Sequence, residues 1–522
     1  MYVSFHEYAS VGLKLSRVCH QIYSAYAPQL GARLYLSHTQ LNVIGLAGNV
    51  GVYLSGPAWG RVVDTKGPRI PLISACACLL IGYLGIKRIY DDGAETSLSF
   101  VRLAILIACT FMTGTAGNAG LAVAMNTTAK SFPESSRGTT TGLVLSGFGL
   151  SAFFFAAVAS IAFPGDISAL LLVLGLGTAM PMLLGLLIVR QIPLPPARTT
   201  LGVEGGLGRE EYQPLPTAPP FFWGHEHAAS NYHVPESSTA VELVPDQIIS
   251  RGSSVRRSTS RGKHVYDGPN IYGKQLWLTP DFYLMFLIMG LLSGTGIMYI
   301  NNVGSISQAL YAKGNPNYDD LEALRWQAAQ VSTLSVCNFA GRILIGLIAD
   351  FTRFRLRLPR AYCFCIVSTL FIVSQLSAIG VTDVAHLWKA TALLGLAYGS
   401  LFGMSPTIVI DWFGLSHLSE NWGWVSLSPL VGGNLFSLMF GRNLDSHASN
   451  DDSGTHSPLT LLKRADLPRE HQCFDGRDCY VSTLYVTATA CLIALGLSVW
   501  AGIRDQRKTL EVKREVVWEV EE

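Results

Sequence analysis

The sequence predicts an all-α membrane protein of two six-helix bundles, with twelve nominal transmembrane helices of which the first is degenerate. Three observations lead there. The 522 residues are 49% hydrophobic and only 14% charged, with mean hydropathy +0.33, whereas a soluble domain carries about 25% charged residues. Apolar windows recur at lengths that can cross a bilayer, which takes roughly 20 helical residues for about 30 Å of hydrocarbon. A long polar interval then splits these windows into two similar sets. The net charge of +2 gives no support to nucleic-acid binding.

Residues 9–30 occupy the place of a first helix but carry Lys14, Arg17, His20 and Gln21. A central Lys or Arg costs about 2.5–3.5 kcal/mol on insertion scales. This helix is therefore damaged, held in place by its neighbours, or not genuine upstream of Gln21. Windows at 41–62, 70–89, 101–124, 139–163 and 167–189 complete a first bundle over residues 1–189. Residues 190–279 are rich in Pro, Ser, Gly and charge, and read as a disordered cytosolic linker. Windows at 281–301, 328–349, 360–381, 387–410, 422–441 and 480–502 make a second bundle over 280–502, followed by a tail at 503–522. The start of the chain is too polar for a cleavable signal peptide.

Between the second and third windows, residues 60–69 read Gly-Arg-Val-Val-Asp-Thr-Lys-Gly-Pro-Arg, a tight charged turn that forces a helical hairpin. Arg61, Lys66, Arg69, Lys130, Arg137 and Arg353 fall on one side of this topology, which makes that side cytosolic. A carboxylate at a helix end can accept N–H bonds from a neighbouring helix N-terminus and pair with Arg. Asp64 with Arg69 is therefore a candidate gate at this face, and Gly60 and Gly67 supply the close turn. The same Gly-x-x-x-Asp spacing recurs as Gly346 and Asp350 at the equivalent position of the second bundle.

Outside the doubtful first helix, Arg342 is the ionisable residue placed deepest in a span, two turns before Asp350. A charge there is costly and implies either a binding or gating role for an anion, or a structural Arg bonded to backbone carbonyls. Asn338, one turn earlier on the same face, can orient its guanidinium. Further candidates to line a cavity are Asn118, Tyr299, Asn302, Tyr398 and Asn434, each of which can equally serve as a helix-to-helix hydrogen bond. The eleven clear spans hold no Asp or Glu near the bilayer centre, which disfavours a carboxylate proton relay.

Cys473 and Cys479 bracket a polar loop expected on the non-cytosolic side, where they either form a disulfide or stay as two surface thiols. His225, Glu226, His227 and His233 lack a fixed scaffold, so neither a metal nor a cofactor is expected. Arg256-Arg-Ser-Thr259 resembles a basophilic kinase site.

The pattern at Gly60, Asp64, Gly67 and Arg69 resembles the loop between the second and third helices of the major facilitator superfamily (MFS), G-x-x-x-D-x-x-G-x-R. The segment from Asn338 to Gly346 is similar to the eighth helix of monocarboxylate-transporter-like proteins, except that Asn338 stands where those proteins carry Asp. Tyr26-Ala-Pro-Gln-Leu30, Leu46-Ala-Gly-Asn49, Ser55-Gly-Pro-Ala-Trp-Gly60, Phe132-Pro-Glu-Ser-Ser-Arg-Gly138, Asp411-Trp-Phe-Gly414 and Asn421-Trp-Gly resemble the nodulin-like branch, and in particular fungal monocarboxylate-permease-homologue transporters of the vacuolar membrane. The resemblance implies an MFS-type fold. It also implies a secondary transporter, monomeric and not an enzyme, that moves a small anionic solute by alternating access across the vacuolar or plasma membrane. A non-transporting membrane sensor or an inactive relic is the alternative.

Overall fold

The computed structural model describes residues 30–93 (apart from 32 and 37), 98–147, 166–189, 269–313, 319–448 and 476–521. The body of the first helix, most of the linker, the second part of the 139–163 window and Cys473 lie outside these residues. The chain divides into two units, one formed by 1–194 with 267–522 and the other by 195–266. Only the first unit falls within the described residues.

Among the described residues every element is a helix. The first bundle contributes α1 (His38–Leu54), α2 (Gly56–Lys66), α3 (Arg69–Asp92), α4 (Phe100–Ser131), α5 (137–147) and α6 (Ile167–Ile188). The second contributes a short α7 (Lys274–Leu278), then α8 (Pro280–Ala312), α9 (Asp320–Phe354), α10 (Cys363–Gly380), α11 (Leu387–Phe413), α12 (Leu418–Val425), α13 (Ser428–Ala448) and α14 (Val481–Glu521). Eight of these helices are long and apolar enough to cross a bilayer.

Two spans are broken for the same reason. α1 gives way to α2 at Ser55, just before Gly56 and Pro57, and α12 gives way to α13 just before Pro429. Proline has no N–H to donate and its ring collides with the preceding turn, so the helical hydrogen-bond ladder is interrupted there. Several boundaries differ from the apolar windows. α2 runs through Asp64 to Lys66, and the expected charged turn shrinks to Gly67-Pro68, with Gly67 at φ +81°. α8 continues well past residue 301, which puts Tyr299 and Asn302 inside the helix rather than near its end. The last residues of the interval read as linker, 269–279, are ordered, and α14 continues through the residues read as a tail.

Each half has its own apolar core. In a membrane, helices associate by close packing rather than by a hydrophobic force, so small residues decide where backbones meet. A Cβ on Gly51 would lie 2.3 Å from the Phe111 carbonyl oxygen, and one on Gly114 would lie 2.1 Å from that of Gly48. These contacts join α1 to α4. α9 and α11 meet in the same way, through Gly341 against Leu396 and Gly399 against Asn338. Gly399→Ala should therefore cost about 1–3 kcal/mol by overpacking and lower the apparent melting temperature in detergent by several degrees. Gly380→Ala, where a Cβ meets nothing within 4 Å, should leave it unchanged.

Candidate functional site

Of the charged residues singled out in the sequence, Asp64 and Asp350 each reach across to the other half. Asp64, in the last turn of α2, reaches across to the second half. Its Oδ2 accepts the backbone N–H of Glu420 at 2.8 Å, in the first turn of α12. Its Oδ1 accepts from Asn126 Nδ2 at 2.5 Å and lies 3.7 Å from Lys130 Nζ, both on α4. Asn126, fully buried, also donates to Ser419 Oγ at 2.7 Å and so ties the halves a second time, from α4 to α12. A helix N-terminus presents unpaired N–H groups and partial positive charge, which a carboxylate satisfies at once.

The mirror image stands in the other half. Asp350, on α9, accepts the N–H groups of Gly138 at 3.0 Å and Thr139 at 2.7 Å, and the Thr139 hydroxyl at 2.8 Å. These are the first residues of α5, in the first bundle. Each half thus caps a helix of the other with a carboxylate four residues after a glycine. The glycines permit the approach: a Cβ on Gly60 would lie 2.1 Å from the Ser419 carbonyl oxygen, and one on Gly346 would lie 2.6 Å from that of Gly138. Gly56 against Gly423 and Gly142 against Arg342 repeat the contact one turn deeper.

The second latch is reinforced by a buried ionic cluster that sequence reasoning did not single out. Arg360, 1% exposed, donates from Nη1 to both oxygens of Asp411 at 3.0 and 3.1 Å. Its Nη2 donates to Asp350 Oδ1 at 3.1 Å and to the Glu134 carbonyl at 2.9 Å, in the turn that leads into α5. In sequence, Arg360 and Asp411 look like ordinary boundary charges. The sign that both are buried is their position against spans that abut the Gly346–Asp350 turn. Arg69 is not drawn into the first latch. It is exposed at the start of α3 and pairs with no described residue, and Lys130 takes the cationic place beside Asp64.

Arg342 sits two turns deeper on α9, 3% exposed. Its Nε donates to Asn338 Oδ1 at 3.1 Å, and its Nη1 donates across the boundary between halves to the Leu145 carbonyl on α5 at 2.8 Å. The guanidinium also lies 6.0 Å from the Phe402 ring centre. Of the other cavity candidates, Tyr398 approaches it through Phe402, with the two ring centres 4.9 Å apart. Tyr299 is fully buried and bonds Thr391 at 3.0 Å, and Thr391 in turn donates to Gln330 at 2.7 Å. Asn302 spends its amide on the Met298 carbonyl of its own helix. Asn118 is buried and reaches Ser55 Oγ at 3.5 Å, Tyr398 packs on Gly296, and Asn434 is exposed on α13. Cys479 is buried and disulfide-bonded, while Cys473 lies outside the described residues. Among the described residues no group of His, Cys, Asp or Glu could hold a metal ion.

Two helical bundles that span a membrane and cap each other's helix ends are the architecture of a two-half secondary transporter. The sequence profile of the Major Facilitator Superfamily matches residues 11–433, and the chain belongs to that family. It is 23% identical over 476 residues to the uncharacterized membrane protein YMR155W of Saccharomyces cerevisiae, with 83% of this chain and 85% of that protein covered. It is 22% identical over 540 residues to the probable transporter MCH1 of Gibberella zeae, covering 92% and 86%. Among solved structures, the MFS transporter FucP in its outward conformation superposes with a TM-score of 0.55 at 10% identity, over 96% of this chain and 98% of that one. The proton:xylose symporter XylE superposes with a TM-score of 0.51 at 13% identity, over 95% and 94%.

Removing Arg360 would leave Asp350 and Asp411 buried beside each other without their cation. Arg360→Leu should cost about 3–5 kcal/mol, the scale for breaking a buried pair. Arg353→Leu, which breaks a 3.5 Å pair with the exposed Glu134, should cost at most about 1 kcal/mol. Thermal unfolding of the two variants in detergent checks the contrast.

Proposed function

We propose that this protein moves a small anionic solute across a membrane by alternating access, with the paired latches closing its cytosolic side. The observation that carries the reading is Arg342, a buried guanidinium whose Nη1 holds the Leu145 carbonyl of the opposite half. The neutral oxygens of Asn338 and Leu145 are among the groups that hold it in this state. An anion entering between the halves offers the guanidinium an opposite charge and a two-pronged partner, neither of which a single carbonyl supplies. Exchanging the carbonyl for the anion cuts one tie between α5 and α9, so binding itself favours separation of the halves. A solute gains this leverage only through its different affinity for the two states.

Asn338 in place of an Asp leaves the Arg342 pair without its own titratable carboxylate. This supports facilitated movement, exchange, or coupling through a proton carried by the solute. The same face carries the basic residues Arg61, Lys66, Arg353 and Arg355, which supports its assignment to the cytosol. The resemblance of the sequence motifs to vacuolar-membrane permease homologues supports the vacuolar membrane as its location.

Uptake of labelled short-chain carboxylates into proteoliposomes tests the role of Arg342. Arg342→Ala should reduce uptake at least about 100-fold, and Arg342→Lys should restore part of it, because Lys keeps the charge but not the fork geometry. Unchanged uptake of every anion by Arg342→Ala would remove this residue from the binding role.

A further inference from the structure

We propose that residues 269–279, the last stretch before the second bundle, are a positioning element of the gate and act through Asn421 on the helix turn that Asp64 caps. The proposal rests on the reading of Asp64 as a latch. α12 has eight residues, too few to be stable as an isolated helix. On one side it packs against α2 through the glycine contacts and the Asp64 cap. On the other side it is gripped along its length by the 269–279 segment. The Ile271 N–H donates to the Phe413 carbonyl at 2.9 Å, and Asn421, fully buried, donates its side-chain amide to the Ile271 carbonyl at 2.8 Å.

Aromatic contacts secure both ends of the grip. Tyr272 stacks on His417, the residue that precedes α12, with ring centres 3.7 Å apart and planes 16° from parallel. Trp277 meets Trp424, near the other end of α12, edge to face at 5.0 Å. The backbone is built for this passage. Gly414 sits at φ +99°, and a Cβ there would lie 1.8 Å from the Pro269 carbonyl oxygen, so no other residue lets the segment through.

The consequence concerns which contacts survive when the halves part. α12 must leave α2 and Asp64, whereas the strap leads straight into α8 and stays with the second half. It is thus the support that keeps the Glu420 N–H aimed for recapture by Asp64. Glu420 and Asn421 are adjacent, so the latch and the strap hold the same turn. Loosening the strap frays that turn and weakens the cap without touching Asp64.

Distance measurements between spin labels at Thr65 and Ser416, one in each half and both exposed, test this on the full chain in nanodiscs. Asn421→Ala, which removes one net hydrogen bond, and separately Tyr272→Ala, which removes one aromatic pair, should each raise the population with the longer distance about fivefold. Tyr272→Phe keeps the stacked ring and should leave the distribution unchanged. Asp64→Ala is the reference for the latch itself. If Asp64→Ala lengthens the distance and neither strap variant does, the strap proposal fails and the latch stands. If Asp64→Ala has no effect, the latch reading fails first. A lower melting temperature with an unaltered distance distribution in both strap variants would mark the segment as structural only, and would overturn the proposal.

Discussion

The reciprocal capping of helix ends across the boundary between the halves is the constraint on which the rest depends. Asp64 of the first half terminates α12 of the second, and Asp350 of the second half terminates α5 of the first. A carboxylate buried at such a boundary is costly unless fully hydrogen-bonded. Here the exposed N–H groups of the opposite helix supply those bonds, and the helix end in turn loses its unpaired donors. Two unfavourable features cancel each other only while the halves touch. That makes the closed face stable and also gives it a defined way to open.

The two latches are built to the same plan but not to the same strength. Asp350 shares Arg360 with Asp411, and Arg360 also holds the Glu134 carbonyl at the entry to α5. Asp64 has instead Asn126, the Ser419 hydroxyl bound to that amide, and a more distant Lys130. A guanidinium with two carboxylates and a carbonyl forms a rigid knot, whereas amide and hydroxyl contacts are weaker and more easily exchanged with water. The α2–α12 crossing is thus held by fewer charged contacts than the α5–α9 crossing. Arg342 lies on the α5–α9 side, where its own backbone makes the Gly142 contact and its side chain holds the Leu145 carbonyl.

Much of this was readable from residue spacing. The hydrophobic windows located the membrane helices, and the repeated Gly-x-x-x-Asp spacing located both capping carboxylates. Asn338 was placed beside Arg342 by helical periodicity alone. The partners were not readable, because a backbone N–H carries no signature in sequence and Glu420 lies 356 residues from Asp64. For Tyr299 and Asn302 the sequence left a cavity wall and a helix-to-helix hydrogen bond both open, because polarity in an apolar run does not say whether a side chain faces a hollow or a neighbouring helix. Arg69 looked like the partner of Asp64 because it shares the turn, yet it is left exposed while Lys130 arrives from α4. Of the segments that resemble nodulin-like proteins, Ser55 to Gly60, Phe132 to Gly138 and Asn421 to Gly423 hold residues of the boundary between the halves, whereas Leu46 to Asn49 packs on α4 and Asp411 bonds Arg360 within the second half. Their physical meaning emerged only once the fold brought them together.

Hydrogen exchange of the reconstituted protein, read by mass spectrometry over residues 137–141 and 417–423, probes the reciprocal caps most directly. Asp64→Ala should speed exchange in 417–423 alone, and Asp350→Ala should speed it in 137–141 alone, each substitution acting on the half that does not contain it. Exchange that rises only within the substituted half, or stays protected on both sides, would contradict the account.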